Sequence, residues 1–357
     1  MFPDILSKTA MSDEHSNELP DVTLEKENQD LKEILEIALQ ITAQLDLENI
    51  VKNVAWSFVS KFKSETVTFL LPGDIDETAT QVISYRGTKQ ITPGIELPSL
   101  LSLLAFLEKE EYSQIQFSTF RENYPDKAFV ELLGSLAVDM IVPLRTDKGV
   151  IGLLLLPKYA DGPYGVQEIQ YITRIVRFAA IAIENSCLFR QATTDRMTGL
   201  YSHHFFEKAL AEEMERARRY KTIFSLVILD IDHFKAVNDT HGHLQGDRII
   251  KGISKILSQS IRQVDLPARY GGEEFAVILP GVDVKGASVV AERLRKRIGE
   301  SRFPCDGFTI GVTISLGVAE YIPEADQSSS DVLHAADKAL YKSKENGRNR
   351  VSVSTDR

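Results

Sequence analysis

The sequence is poor in cysteine and has no long apolar run. Its two cysteines, Cys187 and Cys305, stand in unrelated contexts, which excludes a disulfide framework and a zinc-type spacing. No apolar stretch approaches the roughly 18 residues of a membrane span. The N-terminus also lacks the basic segment and apolar core of a secretory signal. These absences predict a cytoplasmic protein with reduced thiols and no membrane partner.

Positive charge is also in short supply. The formal net charge is −10 over 357 residues. This charge argues against nucleic acid or an anionic membrane as the main partner, because both favour a basic surface. A nucleotide substrate is compatible with it, since a nucleotide needs only a local cationic site. The length predicts about two domains.

The N-terminal half combines helical and strand-like patterns. We predict a disordered tail over residues 1–23 and then a helix, with apolar residues every seven positions from Leu24 to Leu45. LENIVKNVAWSFVSKF is typical of a second helix, and TVTFLL and TQVISYRG are typical of strands. PLRTDKGVIGLLLLPK predicts two strands joined by a polar turn at 146–149, the second so apolar that it should be central in a sheet.

A long helix is predicted over residues 166–194. Ile169, Val176 and Ile183 recur at intervals of seven, a pattern that suits either a packed surface of the helix's own domain or a parallel dimer interface. We favour a stripe that serves partly as a dimer interface, because it leads into the next domain without a flexible linker. The substitution Ile183→Asp is then expected to uncouple the two domains.

Residues 31–190 resemble a GAF domain. The resemblance rests on the order of helix, strand pair and final helix, with IVPLRTDKGVIGLLLLPKYADGPY and IAIENSCLF. It implies an antiparallel sheet with flanking helices over residues 24–185, overlapping a connecting helix over 166–194. It also implies a small-molecule ligand, for which a cyclic nucleotide is one candidate. The asparagine-lysine-phenylalanine-aspartate-glutamate signature of some cyclic-nucleotide GAF domains is not visible, so the ligand is not identified.

The second half of the chain carries carboxylates at the end of a predicted strand. FSLVILDID is an apolar run that ends in Asp230 and Asp232. Asp232 precedes HFKAVND, so it is a candidate helix N-cap. Asp230 follows a nearly continuous apolar run, where a lone carboxylate is costly unless it is paired or bound to a metal.

The stretch RYGGEEFAVILP predicts a hairpin with two glycines at its tip. Glycine permits the positive φ angles that such a tip requires. The glutamates then begin the second strand, where alternation sends Glu273 and Glu274 to opposite faces, so that only one joins Asp230. Taken alone, the glutamates are better explained as residues that solvate the end of a hairpin.

Five spaced motifs over residues 195–357 resemble the GGDEF family of diguanylate cyclases. They are DRMTGL, DIDHFKAVNDTHGHLQGD, RQVDLPARYGGEEF, TISLGVA and ADKALYKSKENGRNRV. The resemblance implies an α+β domain with a βαββαβ core like that of nucleotidyl cyclases and polymerase palms. It implies condensation of two GTP into cyclic di-GMP and two pyrophosphates, with one GTP on each domain of a homodimer. The sequence departs from the family at Ser202, His203 and His204, where asparagine-arginine-arginine is usual, away from the metal site.

The resemblance also implies the metal site. Asp230, the main-chain carbonyl of Ile231 and Glu273 correspond to ligands of Mg²⁺, with Mn²⁺ as an alternative ion. Glu273 is in addition the implied proton acceptor for the attacking hydroxyl. The five histidines between 203 and 243 could suggest a transition-metal site instead, but their spacings match no zinc pattern.

Substrate-binding residues follow from the same resemblance. They are Phe234, Lys235, Asn238, His243, Asp247, Lys344 and Arg348. Asn238 and Asp247 correspond to guanine readers, and the aspartate favours a pure guanine product. The lysines and Arg348 are suited to phosphate, although Lys344 and Arg348 also fit a solvated helix end.

RQVD, just before the hairpin, resembles the inhibitory RxxD site of the family. Arg262, Asp265 and Arg293 are implied to bind cyclic di-GMP away from the active site; the alternative is a surface ion pair of little consequence for stability. Two other functions stay open: a domain that only binds GTP or cyclic di-GMP, and a scaffold whose GAF half binds a partner protein. The acidic residues at 230, 273 and 274 favour an active enzyme.

Overall fold

The computed structural model of the chain describes residues 19–73, 79–159, 162–305, 307–323 and 327–354. Most of the predicted tail over 1–23 lies outside these residues. Helix α1 begins at Leu19, so that residues 19–23 are helical and the predicted tail is too long. The chain divides into two compact units, Met1–Phe189 and Arg190–Arg357. Within the described residues, no helix combines the length and apolar character that crossing a membrane demands.

The first unit is built on a mixed set of helices and short strands. Its described elements are α1 Leu19–Thr42, α2 Leu47–Phe62, β1 Thr66–Pro72, β2 Thr80–Arg86, β3 Lys89–Ile91, α3 Leu101–Lys109, β4 Ile115–Gln116, α4 Phe117–Asn123, α5 Lys127–Gly134, β5 Met140–Thr146, β6 Gly149–Leu156 and α6 Val166–Thr193. The strands form one sheet in the order β3-β2-β1-β6-β5-β4, with antiparallel neighbours. The central place predicted for β6 is confirmed.

Helices cover both faces of this sheet. Alternate residues of β1, β5 and β6 point to opposite sides, as the period of a strand requires. One side packs against α1, α2 and α6. The other packs against α3, α4 and α5. The first unit therefore has a core on each face of a single sheet.

The stripe of α6 is a packed surface of the first unit. Val176 and Ile183 are buried, and Ile169 packs against the same core. Ser186, on the same helix, donates a hydrogen bond to the carbonyl oxygen of Leu45 at 2.7 Å. The expectation that these residues form part of a dimer interface is therefore wrong, because their side chains are already covered by their own domain.

The second unit is built on a different sheet. Its described elements are α7 His203–Tyr220, β7 Phe224–Ile231, α8 Phe234–His241, α9 His243–Ser260, β8 Leu266–Arg269, β9 Glu274–Pro280, α10 Val284–Glu300, β10 Phe303–Cys305, β11 Phe308–Ile310, β12 Ile314–Tyr321, α11 Ser329–Glu345 and β13 Val351–Val353. The sheet order is β13-β12-β7-β9-β8, with only the β12–β13 pair parallel among these strands. From β7 to β12 the chain follows the predicted βαββαβ order, apart from the extra helix α8 and the β10–β11 ribbon.

The two faces of this sheet are covered by different helices. α9 and α10 pack on one face, and α7 and α11 pack on the other. Helix α11 lies so close to β12 that a Cβ atom at Gly317 would overlap the carbonyl oxygen of Ala336 and the main chain of Leu340. The glycine of TISLGVA is therefore required by packing, and this close approach places the end of α11 beside the end of β7.

Candidate active site

Asp230 lies near the end of β7, on the face that α11 covers. Its partners in register are Glu274 of β9 and Ser315 of β12. Asp230 is 7% exposed, and its Oδ2 lies 2.9 Å from Nζ of Lys344, in the last turn of α11. The buried carboxylate thus has the charged partner that its burial calls for.

The glutamates sit differently from the predicted arrangement. Strand β9 begins at Glu274, so Glu273 lies in the turn before it. The main-chain N–H of Ile231 donates to the carbonyl oxygen of Glu273 at 3.3 Å, which ties the turn to the end of β7. Strand alternation therefore fixes the face of Glu274 but not that of Glu273, and the charge of Asp230 raises the pKa of both glutamates.

The glycines of the turn have another role than the predicted one. Neither Gly271 nor Gly272 has a positive φ. A Cβ atom at Gly271 would instead lie 2.7 Å from Oε2 of Glu274, whereas one at Gly272 would meet nothing within 4 Å. Gly271 therefore provides room for the carboxylate of Glu274.

The turn before β9 is also fixed by contacts with an arginine and an aspartate, and neither of these was a predicted site residue. Arg269 donates through Nη2 to the carbonyl oxygen of Gly272 at 2.9 Å, and through Nη1 to the carboxylate of Asp195 at 3.1 and 3.2 Å. Asp195 opens the DRMTGL motif, 74 residues away. No local pattern in the sequence pairs residues so far apart, although both lie in motifs of the resemblance.

Burial and mutual repulsion raise the pKa of all three carboxylates of the site. Desolvation raises the pKa of Asp230, and the hydrogen bond and charge of Lys344 only partly oppose it. Desolvation raises the pKa of Glu273 and of Glu274, and the charge of Asp230 raises both further. Such a cluster favours the arrival of cations. Among the described residues, no three His, Cys, Asp or Glu side chains are grouped so as to hold a metal ion by themselves.

An open cavity of about 610 Å³ adjoins the site between the start of β9 and α11. Its lining residues are Tyr270, Glu274, His334, Asp337, Lys338, Leu340, Tyr341 and Lys344. Desolvation also raises the pKa of Asp337. The site therefore opens to solvent on the side of Glu274.

The residues assigned to guanine lie on α8 and α9. Phe234 is buried at the start of α8, and Lys235 after it is exposed. Asn238, also on α8, has a buried Oδ1 without a hydrogen-bond partner among the described atoms. His243 begins α9 and is exposed, and Asp247 is half-buried one turn later. Asn238 therefore lies where α8 meets α9, and its Oδ1 is an acceptor that no described donor uses.

The residues assigned to phosphate near the end of α11 do not share one helix. Lys344 is in the last turn, but α11 ends at Glu345, and Arg348 lies beyond it. Arg348 and Asn349 have φ values of 60° and 47°, in the left-handed region that costs a non-glycine residue on the order of 1–3 kcal/mol. Lys344 and Arg348 are four residues apart in the sequence, but only Lys344 is helical. The Arg348 charge nevertheless favours the ionised form of Asp230.

The residues of the RQVD motif form a closed turn. The N–H of Arg262 donates to Oδ2 of Asp265 at 2.8 Å, and the N–H of Asp265 donates to the carbonyl oxygen of Arg262 at 3.1 Å. Arg293 of α10 donates through Nη2 to the carbonyl oxygen of Ser260 at 2.6 Å. Arg293 therefore reaches the end of α9, two residues before Arg262.

Comparison with known proteins identifies the family. The family model described as "Diguanylate cyclase, GGDEF domain" matches residues 192–350. Diguanylate cyclase A of Treponema denticola is 33% identical over 341 residues, covering 92% of this chain and 90% of that protein. Diguanylate cyclase DgcP of Pseudomonas aeruginosa is 38% identical over 164 residues, which are 46% of this chain and 24% of that protein. The chain belongs to the GGDEF family of diguanylate cyclases.

Solved structures are similar over the second unit. The GGDEF domain of DgcB from Caulobacter crescentus, crystallised with c-di-GMP, is 36% identical, with a TM-score of 0.45 over 46% of this chain and 94% of that one. As an enzyme, the present protein is a diguanylate cyclase. Neither the family match nor that structure extends over the N-terminal unit, which the relative from Treponema denticola does span.

Proposed function

We propose that the second unit condenses two GTP molecules into cyclic di-GMP and two pyrophosphates, with divalent cations held at Asp230 and Glu273. The observation that carries this proposal is the meeting of three carboxylates of raised pKa with a single lysine at the end of β7. The full-length similarity to a diguanylate cyclase supports it.

The donor atoms at this edge suit magnesium. Carboxylate and carbonyl oxygens are its preferred protein ligands, and it usually keeps water or takes phosphate oxygens in its remaining positions. Asp230, the carbonyl of Ile231 and Glu273 would supply the protein oxygens. When bound, the cations would offset the charge that develops on the attacking and leaving oxygens.

Glu273 is the residue proposed to accept the proton of the 3′-hydroxyl. Desolvation and the charge of Asp230 both raise its pKa, which moves a carboxylate toward the range where it acts as a general base. Its place in the turn leaves its side chain free of strand alternation. Lys344, Arg348 and Lys235 are the proposed phosphate-binding cations.

Guanine recognition is proposed for Asn238 and Asp247. A carboxylate can accept hydrogen bonds from the N1–H and 2-amino groups of guanine. The unpaired Oδ1 of Asn238 is a second acceptor already held at the junction of α8 and α9. Phe234 and His243 flank these two residues at the starts of the helices.

The first unit is proposed to be a GAF sensor, with α6 as the connecting helix. A six-stranded antiparallel sheet with helices on both faces supports this. Its ligand would be a small molecule, and cyclic nucleotides are the first probes to use. A thermal-shift screen of the full chain against cyclic nucleotides and other metabolites tests the proposal. If none of these compounds raises the Tm, the result counts against a sensor for them.

Regulation by product is proposed at Arg262, Asp265 and Arg293. Support comes from the closed turn of residues 262–265 and from the reach of Arg293 to Ser260, which leaves three charged side chains in one region. Guanidinium groups suit both phosphate and the O6 and N7 atoms of guanine. Two domains, one GTP on each, are required for the reaction, so the active form is proposed to be a homodimer.

The alternative is a domain that binds GTP or cyclic di-GMP without turning over. Incubation of the purified protein with GTP and Mg²⁺ separates the two functions. The active enzyme releases two pyrophosphates for each cyclic di-GMP, identified by mass spectrometry. Retention of GTP with no pyrophosphate would support the alternative and overturn the proposal.

A further inference from the structure

The segment after α11 has a strained main chain that a buried carboxylate holds in place. Gly347, Arg348 and Asn349 all have positive φ values, and two of the three carry side chains. Consecutive residues in this region persist only where their surroundings fix them, and such strain is common at ligand-binding sites. The question is therefore what fixes Arg348.

Asp232 supplies the contact at the centre of this segment. The N–H of Asn349 donates to Oδ2 of Asp232 at 3.0 Å. The same carboxylate accepts the hydroxyl of Thr313 at 2.7 Å and that of Ser315 at 2.6 Å. Asp232 is 5% exposed, and its own N–H donates to the carbonyl oxygen of Thr313 at 2.9 Å.

These contacts differ from the N-cap predicted for Asp232. The N-cap of α8 is His233, with no side-chain cap hydrogen bond. The carboxylate of Asp232 instead joins the end of β7 to β12 and to the segment after α11. Asp230, two residues before Asp232, pairs with Lys344 in the last turn of α11.

Further contacts hold the neighbouring residues of the segment. The N–H of Arg348 donates to the carbonyl oxygen of Ser343 at 3.0 Å, and Oδ1 of Asn349 accepts from Nη1 of Arg295 at 2.8 Å. The side chain of Arg295, on α10, is 21% exposed, whereas Asp232 is 5% exposed. A charge-assisted hydrogen bond in a buried place is stronger than one in water, so the contact with Asp232 is the main restraint on Asn349.

We propose that Asp232 is a positioning residue, which fixes the main chain at Asn349 and thereby directs the Arg348 guanidinium toward the Asp230 site. The inference rests on the proposed role of Arg348 at the GTP phosphates. Asp232 itself touches no substrate in this scheme. It acts through a main-chain N–H, and for this reason the sequence of the segment alone does not reveal it.

A double-mutant cycle tests the proposal in the full-length protein. The affinity for a GTP analogue with a methylene α–β bridge is measured with Mg²⁺ for Asp232→Ala, Arg348→Ala and the double variant. We expect each single variant to bind about tenfold more weakly, the loss typical of a charge-assisted contact. The double variant should bind no more weakly than Arg348→Ala, because one residue acts through the other.

The affinities distinguish a failure of the phosphate role of Arg348 from a failure of the positioning role of Asp232. If Arg348→Ala binds the analogue as well as the native protein, the proposed phosphate role of Arg348 fails, and the positioning role with it. If Arg348→Ala weakens binding but Asp232→Ala adds its full loss in that background, Asp232 acts by another route, such as its charge on Asp230, and only the positioning inference is overturned.

Hydrogen exchange provides a readout that does not depend on nucleotide. In Asp232→Ala the amide of Asn349 should exchange at least about tenfold faster, because its acceptor is gone. Asp331→Ala is the matched control, since Asp331 caps the opposite end of α11 through Ser328; it should change neither this exchange rate nor the analogue affinity. If Asp232→Ala does not fold, Asp232→Asn, which keeps the shape and one acceptor, should show the same pattern with smaller changes. Unchanged exchange at Asn349 in a folded variant overturns the proposal.

Discussion

Replacing Asp230 by asparagine is expected to stabilise the metal-free protein. Asp230 is 7% exposed, and its pKa is raised by desolvation despite the lowering effect of Lys344 and with a further raising effect of Asp232. A raised pKa means that ionisation costs more in the folded state than in the unfolded chain. An isosteric neutral side chain removes that cost. It also gives up the ion pair with Lys344, whose side chain is 32% exposed and can be solvated.

The size of the effect follows from linkage. Each unit of pKa difference corresponds to about 1.4 kcal/mol, and about 1 kcal/mol moves Tm by roughly 2–4 °C in a unit of this size. We therefore expect the second unit of Asp230→Asn to melt at a higher temperature than that of the native protein at neutral pH in EDTA. The stabilisation that a protonated Asp230 gives is fully present below its unfolded pKa and is lost as the pH rises through the raised folded value. The difference should accordingly vanish near the ordinary pKa of 3.8.

Calorimetry of the full chain in EDTA, across a pH series, measures this difference. Asp331→Asn is the matched control, because the hydrogen bonds from Ser328 lower the pKa of Asp331, and the same chemical change should destabilise. With Mg²⁺ and the GTP analogue at about 100 times Kd, the free energy of unfolding of the native protein should rise by about 2.7 kcal/mol. The native protein should then have a higher Tm than Asp230→Asn. A lower Tm for Asp230→Asn in EDTA at neutral pH would refute the reasoning.

Three further predictions concern catalysis, packing and inhibition. Glu273→Gln should slow pyrophosphate release from GTP by about 10²–10⁴-fold, the contribution of a general base, and full-speed synthesis would contradict the proposed role. Gly317→Ala should cost about 3 kcal/mol or more in urea unfolding, because its Cβ would meet the main chain of α11. Gly299→Ala, where nothing lies within 4 Å, is the control and should be neutral or stabilising by up to about 1 kcal/mol. Arg262→Ala should abolish inhibition by added cyclic di-GMP with initial rates unchanged, whereas Arg216→Ala, on the exposed side of α7, should leave inhibition intact.

The strands that bury apolar side chains could be predicted from the sequence. β1, β6, β7 and β9 are short apolar runs bounded by polar turns, and their side chains are buried in the structure. The central place of β6 follows from its composition, because only a strand covered on both faces is apolar at nearly every position. Local composition is sufficient where burial alone decides the structure.

The seven-residue period of α6 did not reveal whether its apolar stripe is buried by its own domain or by a second chain. Ile183 is 1% exposed within the core of the first unit, although a seven-residue repeat equally suits contact with a second chain. The substitution Ile183→Asp would therefore place an unpaired charge in a core and unfold the unit, a loss of several kcal/mol. It cannot test coupling between domains. Phe178, Ile181 and Leu188 are among the exposed apolar residues of the same helix, and substitutions there would test a dimer contact.

The arrangement of the candidate site could not be predicted from the sequence. Because β9 starts at Glu274 and not at Glu273, alternation does not fix the direction of the Glu273 side chain, since it governs only residues within a strand. The contacts of Asp232 with Asn349, and of Arg269 with Asp195, join residues that are distant in the sequence. No periodicity or spacing rule encodes such pairs, and they become visible only when strand and helix ends meet.

Charge balance connects these observations. Desolvation is the main cause of the raised pKa of Asp230, Glu273 and Glu274, and the repulsion between Asp230 and each glutamate adds to it. Lys344 cannot serve Asp230 and a phosphate equally well, because its ammonium lies 2.9 Å from the carboxylate in the nucleotide-free structure. If Asp230 held divalent cations, as proposed above, they would supply its counter-charge, and Lys344 would then be available to phosphate oxygens. The ion pair with Lys344 therefore supplies the counter-charge of the buried Asp230 carboxylate.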